Sequence, residues 1–192
     1  VTLAGTGLGG DLTLPEGVSG SIRDSRDCVT LLALTASGSP GPVTISLGGQ
    51  SLDLVAYDRP DRISIIPEVA TARIGDGGGP IPRVPAQFEA MGWLNGPDGK
   101  PATPDDIALG VFPAEWRTDN FNEEAVRMQD AKYAGRIDQT GLFTPGEAGP
   151  NPERPMMTNN AGNLKVIATV KTADKPLTAE AHLYATVQRF VD

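Results

Sequence analysis

Zinc sites and nucleophilic catalytic sites often use histidine or cysteine side chains. This chain has one histidine and one cysteine. His182 lies in an alternating segment in which Tyr184 shares its face and Leu183 lies on the opposite face. A zinc site needs several His or Cys ligands, which this composition cannot supply. A Ser-His-Asp triad needs only one histidine, but the sequence contains no G-x-S-x-G nucleophile turn to support it. We therefore interpret His182 as a surface or hydrogen-bonded histidine.

The single cysteine, Cys28, excludes an internal disulfide, a cysteine metal cluster and the C-x-x-C-H motif that attaches haem c. It begins the strand-like run Cys28–Ala36, which is rich in leucine and β-branched residues. We predict that Cys28 is a buried, inert thiol.

The segment Gly5–Gly10 is rich in glycine, as are loops that bind phosphate. This run contains no Lys-Ser/Thr pair, and no helical pattern follows it. Because glycine permits tight turns, a turn between two strands is sufficient explanation.

The loop Asn95–Asp106 contains three carboxylates, Asp98, Asp105 and Asp106. Their oxygens suit calcium, but their spacing does not match the EF-hand loop. Asx-turns account for them equally well, so both a calcium site and a solvated loop remain open.

Adjacent carboxylates occur twice, at Asp105–Asp106 and at Glu123–Glu124. Neighbouring residues do not face one another on a helix, so neither pair predicts a glycosidase site. Trp93 and Trp116 are interpreted as core anchors, with sugar stacking as the alternative. The sequence thus predicts no catalytic, cofactor-binding or metal-binding residue in this chain.

Short strands separated by turn residues are the elements that would position all these side chains. The expected strands of the first unit are residues 2–4, 11–14, 28–36, 43–47 and 52–57. Those of the second are residues 62–66, 69–74, 86–94, 107–112, 114–118, 133–137, 142–144, 164–170 and 179–190. Such spacing is typical of sandwiches, and helical crossovers for a parallel sheet are missing. We predict an all-β chain of two tandem immunoglobulin-like β-sandwiches.

The charged, proline-containing segment Asp58–Asp61 marks the expected junction between a domain at residues 1–59 and a larger one at 60–192. One helix is expected over Asn122–Ala131, where Asn122 can cap the helix and two glutamates favour its positive start. Residues 145–163 are expected to form a long polar loop. The opening strand-and-glycine pattern, without Met, indicates a cut into a longer polypeptide.

The formal net charge of −8 is spread along the chain. An acidic surface repels phosphate backbones, and no Lys/Arg block offers a membrane contact. No apolar stretch is long enough for a membrane span. We therefore expect neither nucleic acid nor membrane as a partner.

Parts of the chain resemble immunoglobulin-like modules. In the first unit these parts are residues 3–8 and 40–49, which are similar to short modules of cell-surface receptors and transcription factors. In the second they are residues 114–117, 135–144 and 163–170, which are similar to bacterial immunoglobulin-like repeats.

A broader resemblance covers nearly the whole chain. Residues 57–63, 78–90, 95–101 and 158–166 resemble the C-terminal β-domains of the α subunit of quinohemoprotein amine dehydrogenase. This resemblance implies a periplasmic heterotrimer that oxidises primary amines. It also implies two c-type haems in an N-terminal domain, a β-propeller subunit, and a small γ subunit with cysteine tryptophylquinone.

No catalytic or haem-ligating position of that family falls on this chain, which has no C-x-x-C-H motif. The resemblance therefore implies a non-catalytic scaffold that contacts the β and γ subunits and the dihaem domain. Apolar strand faces would supply the contact area. The alternative is an extracellular bacterial module for carbohydrate binding or adhesion, with its pocket around Trp93 or the loop Asn95–Asp106. A stand-alone carboxylate enzyme is a third alternative, although no nucleophile–base set can be named for it.

Overall fold

The computed structural model describes residues 1–187, which form an all-β chain of immunoglobulin-like sandwiches. The described chain divides into two compact units. One unit contains Val1–Pro60 and Leu94–Ile107, and the other contains Asp61–Trp93 and the described residues from Ala108 onwards. The domain division at residues 59 and 60 stays a prediction.

The first unit packs two three-stranded sheets. Their strands are β1 (Thr2–Ala4), β2 (Leu12–Thr13), β3 (Val18–Arg26), β4 (Val29–Ala36), β5 (Gly41–Leu47) and β6 (Gln50–Ala56). One sheet has the order β1-β4-β3 and the other the order β2-β5-β6, with antiparallel pairing throughout. The sequence missed β3, because its serines, glycine and charges give no apolar alternation.

In the part of the second unit that the structure describes there are ten strands. They are β7 (Arg62–Ile66), β8 (Val69–Arg73), β9 (Ala86–Gln87), β10 (Glu89–Leu94), β11 (Ile107–Phe112), β12 (Glu115–Asn120), β13 (Gly135–Ile137), β14 (Leu142–Pro145), β15 (Gly162–Val170) and β16 (Leu177–Thr186). They form three sheets of order β12-β15-β16-β8, β11-β10-β7 and β13-β14-β9. All described pairs are antiparallel except β8 with β16.

The core of the second unit lies between these sheets. Alternate residues of each strand point inward, which buries Phe88, Phe143, Leu164, Val166 and Leu183 to 1% exposure or less. Trp116 belongs to the same core and is 9% exposed, which confirms its interpretation as a core anchor. The predicted final strand reaches residue 190, but residues 188–190 lie outside the described part of the chain.

The expected strand over residues 86–94 is interrupted at Phe88. On one side of this residue β9 pairs with β14, and on the other β10 pairs with β7. The Phe88 amide donates to the Gly141 carbonyl at 2.9 Å, and its ring enters the core. The segment therefore serves two sheets, which its own alternation could not reveal.

The single helix expected over Asn122–Ala131 is wrong in its continuity. Helix α1 spans Glu123–Met128 and helix α2 spans Asp130–Tyr133. Asn122 caps α1 as predicted, since its side chain accepts from the Ala125 amide at 2.9 Å. Gln129 breaks the helix in a left-handed conformation with φ 58°, and this turn directs the Asp130 side chain into the interior.

A buried ion pair explains why the helix breaks there. Arg154 and Asp130 are 4% and 6% exposed, and their charged groups contact each other. The Arg154 guanidinium also donates to the carbonyls of Met128, Asn159 and Ala161. The other Asp130 oxygen accepts from the Asn163 amide at 2.8 Å. Residues 145–163, expected to form a long polar loop, are therefore held in place by the hydrogen bonds of the buried Arg154 guanidinium.

In the described residues, every helix is too short to cross a lipid bilayer.

Candidate functional site

The structure distributes the residues singled out from the sequence over separate elements. Cys28 lies in the β3–β4 turn, Trp93 in β10, Trp116 in β12 and His182 in β16, and the other candidates lie in loops or in α1. Among residues 1–187, no group of three or more His, Cys, Asp or Glu side chains could hold a metal ion.

The prediction of a buried Cys28 is wrong, because the side chain is exposed. Strand β4 begins one residue later, at Val29, and Asp27 turns the chain with a positive φ of 41°. Alternation therefore starts after the cysteine, which remains in the turn. Its carbonyl accepts from the amide of Gly5 at 2.8 Å, so the glycine-rich segment packs against this hairpin turn.

The carboxylates of the loop Asn95–Asp106 accept hydrogen bonds from the loop itself. Asp105 accepts from the Thr103 hydroxyl at 2.7 Å, and Asp106 accepts from the Ala102 amide at 2.8 Å. Asp98 accepts from the Lys100 amide at 2.8 Å. The Thr103 hydroxyl is the main reason why the pKa of Asp105 is lowered. The Asp98–Lys100 bond is an Asx-turn of the kind that the sequence offered as the alternative to calcium.

The paired glutamates at the start of α1 behave as ordinary helix residues. Glu124 forms an ion pair with Arg127 one turn later, and this hydrogen bond lowers the pKa of Glu124. Both side chains are exposed, so the pair stabilises the helix surface only weakly.

Trp93 is half-buried, and its ring is already occupied on one face. The Arg62 guanidinium lies 4.8 Å from the ring centroid, and the indole N–H donates to the Ser64 hydroxyl at 2.9 Å. Cation–π stacking of this kind orients the ring within its sheet. Neither Trp93 nor the buried Trp116 therefore favours the carbohydrate-binding alternative.

His182 lies at the centre of a stack of aromatic rings, here called the aromatic cluster, formed by Phe121, His182 and Tyr184. The Phe121 and His182 ring centroids are 3.7 Å apart with a 4° angle between planes. The Tyr184 centroid lies 4.2 Å from that of His182. The His182 Nε2 atom hydrogen-bonds Asn163 Oδ1. His182 is thus a hydrogen-bonded, partly exposed residue, as the sequence suggested.

Strand alternation directs the aromatic cluster away from the core. Leu183 and Ala185 face inward, while His182 and Tyr184 lie on the outer face of the four-stranded sheet. Phe121 follows β12 at the end of the same sheet, and 39% of its surface is exposed, against 42% for Tyr184. Sequence alone found His182 and Tyr184 on this face, but Phe121 and Asn163 come from segments far from them along the chain.

An ion pair lies beside the aromatic cluster. Lys165 is the cross-strand neighbour of His182, and its ammonium lies 3.4 Å from the Glu180 carboxylate. Burial lowers the pKa of His182, so the imidazole is neutral at pH 7. Exposed aromatic side chains are enriched at protein–protein contacts. The aromatic cluster is therefore the candidate functional site of the second unit.

We expect the second unit to become less stable as the pH falls below 6.5, the ordinary pKa of histidine. The His182 pKa is lower in the folded state than in the unfolded chain. As the pH falls, the unfolded chain binds the proton first, and this binding stabilises the unfolded state relative to the folded one. Melting temperatures of the wild type and His182→Gln, measured between about pH 7.5 and about pH 5.5, test this. The variant should lose less stability over this range. Equal losses in the two proteins would contradict the role of His182.

The comparisons with known proteins match both units. The family model "Quinohemoprotein amine dehydrogenase, alpha subunit domain III" matches residues 1–58, and that for domain IV of the same subunit matches residues 63–192. Among curated proteins, none matches this chain. One similar solved structure is that of mouse clustered PcdhgC3 EC1-3, with 16% identity and a TM-score of 0.42. The alignment covers 93% of this chain and 55% of that one.

Proposed function

The chain belongs to the family of quinohemoprotein amine dehydrogenase α subunits, and from this premise we propose that it is a non-catalytic, subunit-contacting part of such an enzyme. The enzyme is periplasmic and oxidises primary amines, and electrons pass to c-type haem elsewhere in the complex. Its partners are the propeller β subunit, the quinone-bearing γ subunit and the dihaem domain of the α subunit.

One observation carries this proposal: the two family matches follow one another along the chain, in the order domain III and domain IV. The non-catalytic role rests on the residue inventory, since one cysteine and one histidine cannot attach haem c or complete a zinc site. Haem c and cysteine tryptophylquinone are accordingly assigned to other domains and subunits.

The geometry supports a contact role for the second unit. Its interior is closed by large buried side chains, and its most polar buried group, Arg154, is fully engaged within the unit. The aromatic cluster, by contrast, presents two rings that are each about 40% exposed on an open sheet face. Burying such rings against a partner releases hydrophobic free energy, which a scaffold uses to fix subunit positions.

The experiment compares the complete α subunit with one from which residues 1–192 have been deleted, each co-expressed with its partner subunits. We expect the β and γ subunits to co-purify with the complete α subunit, and their recovery to fall at least about ten-fold after the deletion. Haem absorbance of the shortened subunit serves as the control, because a folded dihaem domain keeps its spectrum. Equal recovery of the partner subunits with both proteins would contradict the proposal.

A further inference from the structure

Residues 1–58, the part of the first unit that forms its two sheets, have a thin core for a sandwich. In residues 1–58, all of which the structure describes, the buried side chains are those of Thr30, Leu32, Ile45 and Leu47. Small domains bury a low fraction of their surface and are correspondingly marginal. A constant-type immunoglobulin sandwich has about seven strands, whereas this unit has six. An additional strand would therefore complete both the core and the fold.

The missing volume lies between the two sheets. A groove of about 450 Å³, here called the edge groove, is lined by apolar residues of four strands. Among them are Val18 of β3, Leu34 of β4, Val43 of β5 and Leu54 of β6, and each is only half-buried. These side chains point inward by alternation, yet their packing partners on one side are missing.

The edge groove is flanked by the edge strands of both sheets, β3 and β6. Strand β3 carries the usual protection against pairing, with a β-bulge between Ile22 and Asp24 and charges at Arg23 and Arg26. Strand β6 pairs with β5 in unbroken register over seven residues, and Asp53 is its single charged residue. Of the two edges, β6 is therefore the one suited to accept another strand.

The register identifies the β6 backbone groups that face outward. Gly48 and Gly49 form a two-residue hairpin turn, so Leu47 and Gln50 are its first hydrogen-bonded pair. Hydrogen-bonded and non-hydrogen-bonded pairs then alternate along the ladder, which directs the N–H and C=O groups of Asp53 away from β5. An incoming strand would pair with these groups while its alternate side chains enter the edge groove.

We propose that the edge groove receives an extended strand from another subunit of the enzyme, paired with β6. This inference rests on the proposed function and deepens it by assigning a docking surface. The strand inserts apolar side chains at alternate positions, as in other cases of β-augmentation. Asp53 lies on the accepting strand, where its carboxylate accepts from the Thr44 hydroxyl at 2.8 Å on the face away from the edge groove. Asp58 lies at the groove, whose lining contains no Lys or Arg side chain. The incoming strand accordingly carries basic residues between its apolar ones.

A photocrosslinking residue at the accepting edge tests the proposal in the complete complex. We expect Asp53→p-benzoylphenylalanine to form a crosslink to a partner subunit. Ser21→p-benzoylphenylalanine, on the protected edge of β3, is the matched control and should form none. Crosslinks confined to the α subunit itself, crosslinks to a second α subunit, or equal yields from both positions would each overturn the proposal.

A proline at the same position tests the backbone pairing. Asp53→Pro removes the outward N–H while leaving the backbone β5–β6 bonds intact, so partner recovery should fall by about ten-fold or more. The bond from the Thr44 hydroxyl to the carboxylate is lost in Asp53→Pro and Asp53→Ala alike. Asp53→Ala keeps that N–H and should retain recovery within about three-fold. Circular dichroism of both variants checks that the sandwich is folded, and the crosslinking result stands independently if proline disrupts it. If the wild-type subunit binds its partners but Asp53→Pro binds equally well, only the groove assignment fails. If the wild type does not bind them through this segment, the proposed function itself fails.

Discussion

Replacing Arg154 with methionine is expected to lower the free energy of unfolding of the second unit by about 3–5 kcal/mol. The substitution leaves the Asp130 carboxylate buried at 6% exposure without its cation. It also leaves the carbonyls of Asn159 and Ala161 without a donor, since both accept from the guanidinium at 2.6 Å in the wild type. Each buried polar group without a partner adds its own desolvation penalty.

Tryptophan fluorescence during urea unfolding measures this effect selectively, because Trp93 and Trp116 both lie in the second unit. Arg127→Met is the matched control: its guanidinium also pairs with a carboxylate, that of Glu124, but both groups are exposed. The control should unfold at the wild-type urea concentration. A similar midpoint for Arg154→Met would show that the buried pair contributes little to the fold.

Replacing Phe143 with alanine is expected to destabilise the second unit by about 3–5 kcal/mol through the cavity that it creates. The ring is completely buried, in the core that contains Phe88, Trp116 and Leu164. The ring is tightly packed, since a Cβ built on Gly135 would lie 2.5 Å from it. Its removal therefore deletes many close contacts, which places the cost in the upper part of the range.

Phe121→Ala provides the matched comparison for this prediction. It removes the same ring from a position that is 39% exposed and touches His182 rather than the core. Its expected cost is about 1 kcal/mol, mostly the loss of the stacking contact. The same fluorescence-monitored urea titration compares the two variants. Equal destabilisation by both would mean that burial does not set the contribution of these rings.

Local periodicity was sufficient to find most of the sandwich. Strands β4, β5, β7, β11 and β15 lie where alternating or apolar segments had been expected, with shifts of one or two residues at their ends. Strand β3 was missed, because most of its residues are exposed on both faces and its sequence shows no alternation. An edge strand can be specified by the strand it pairs with, and such a partner leaves no trace in its own sequence.

Two elements expected to be continuous are interrupted by contacts with residues distant in the sequence. The segment 86–94 reads as one strand, but Phe88 bonds to Gly141 and divides the segment between two sheets. The helix pattern over 122–131 is sound as far as Met128, and it breaks where Asp130 must reach Arg154. Cys28 looked buried because it adjoins a leucine-rich strand, yet it lies one residue before that strand begins.

By itself, the sequence determined the all-β class, the cap of the first helix and a residue inventory too poor in histidine and cysteine for a zinc or haem c site. These properties depend on composition and on neighbours within a few residues. Only the tertiary structure decided the Asp130–Arg154 pair, the aromatic cluster and the edge groove, whose members lie tens of residues apart. Packing in three dimensions selects such partners, because the free energy of burying them depends on what surrounds them rather than on their spacing along the chain.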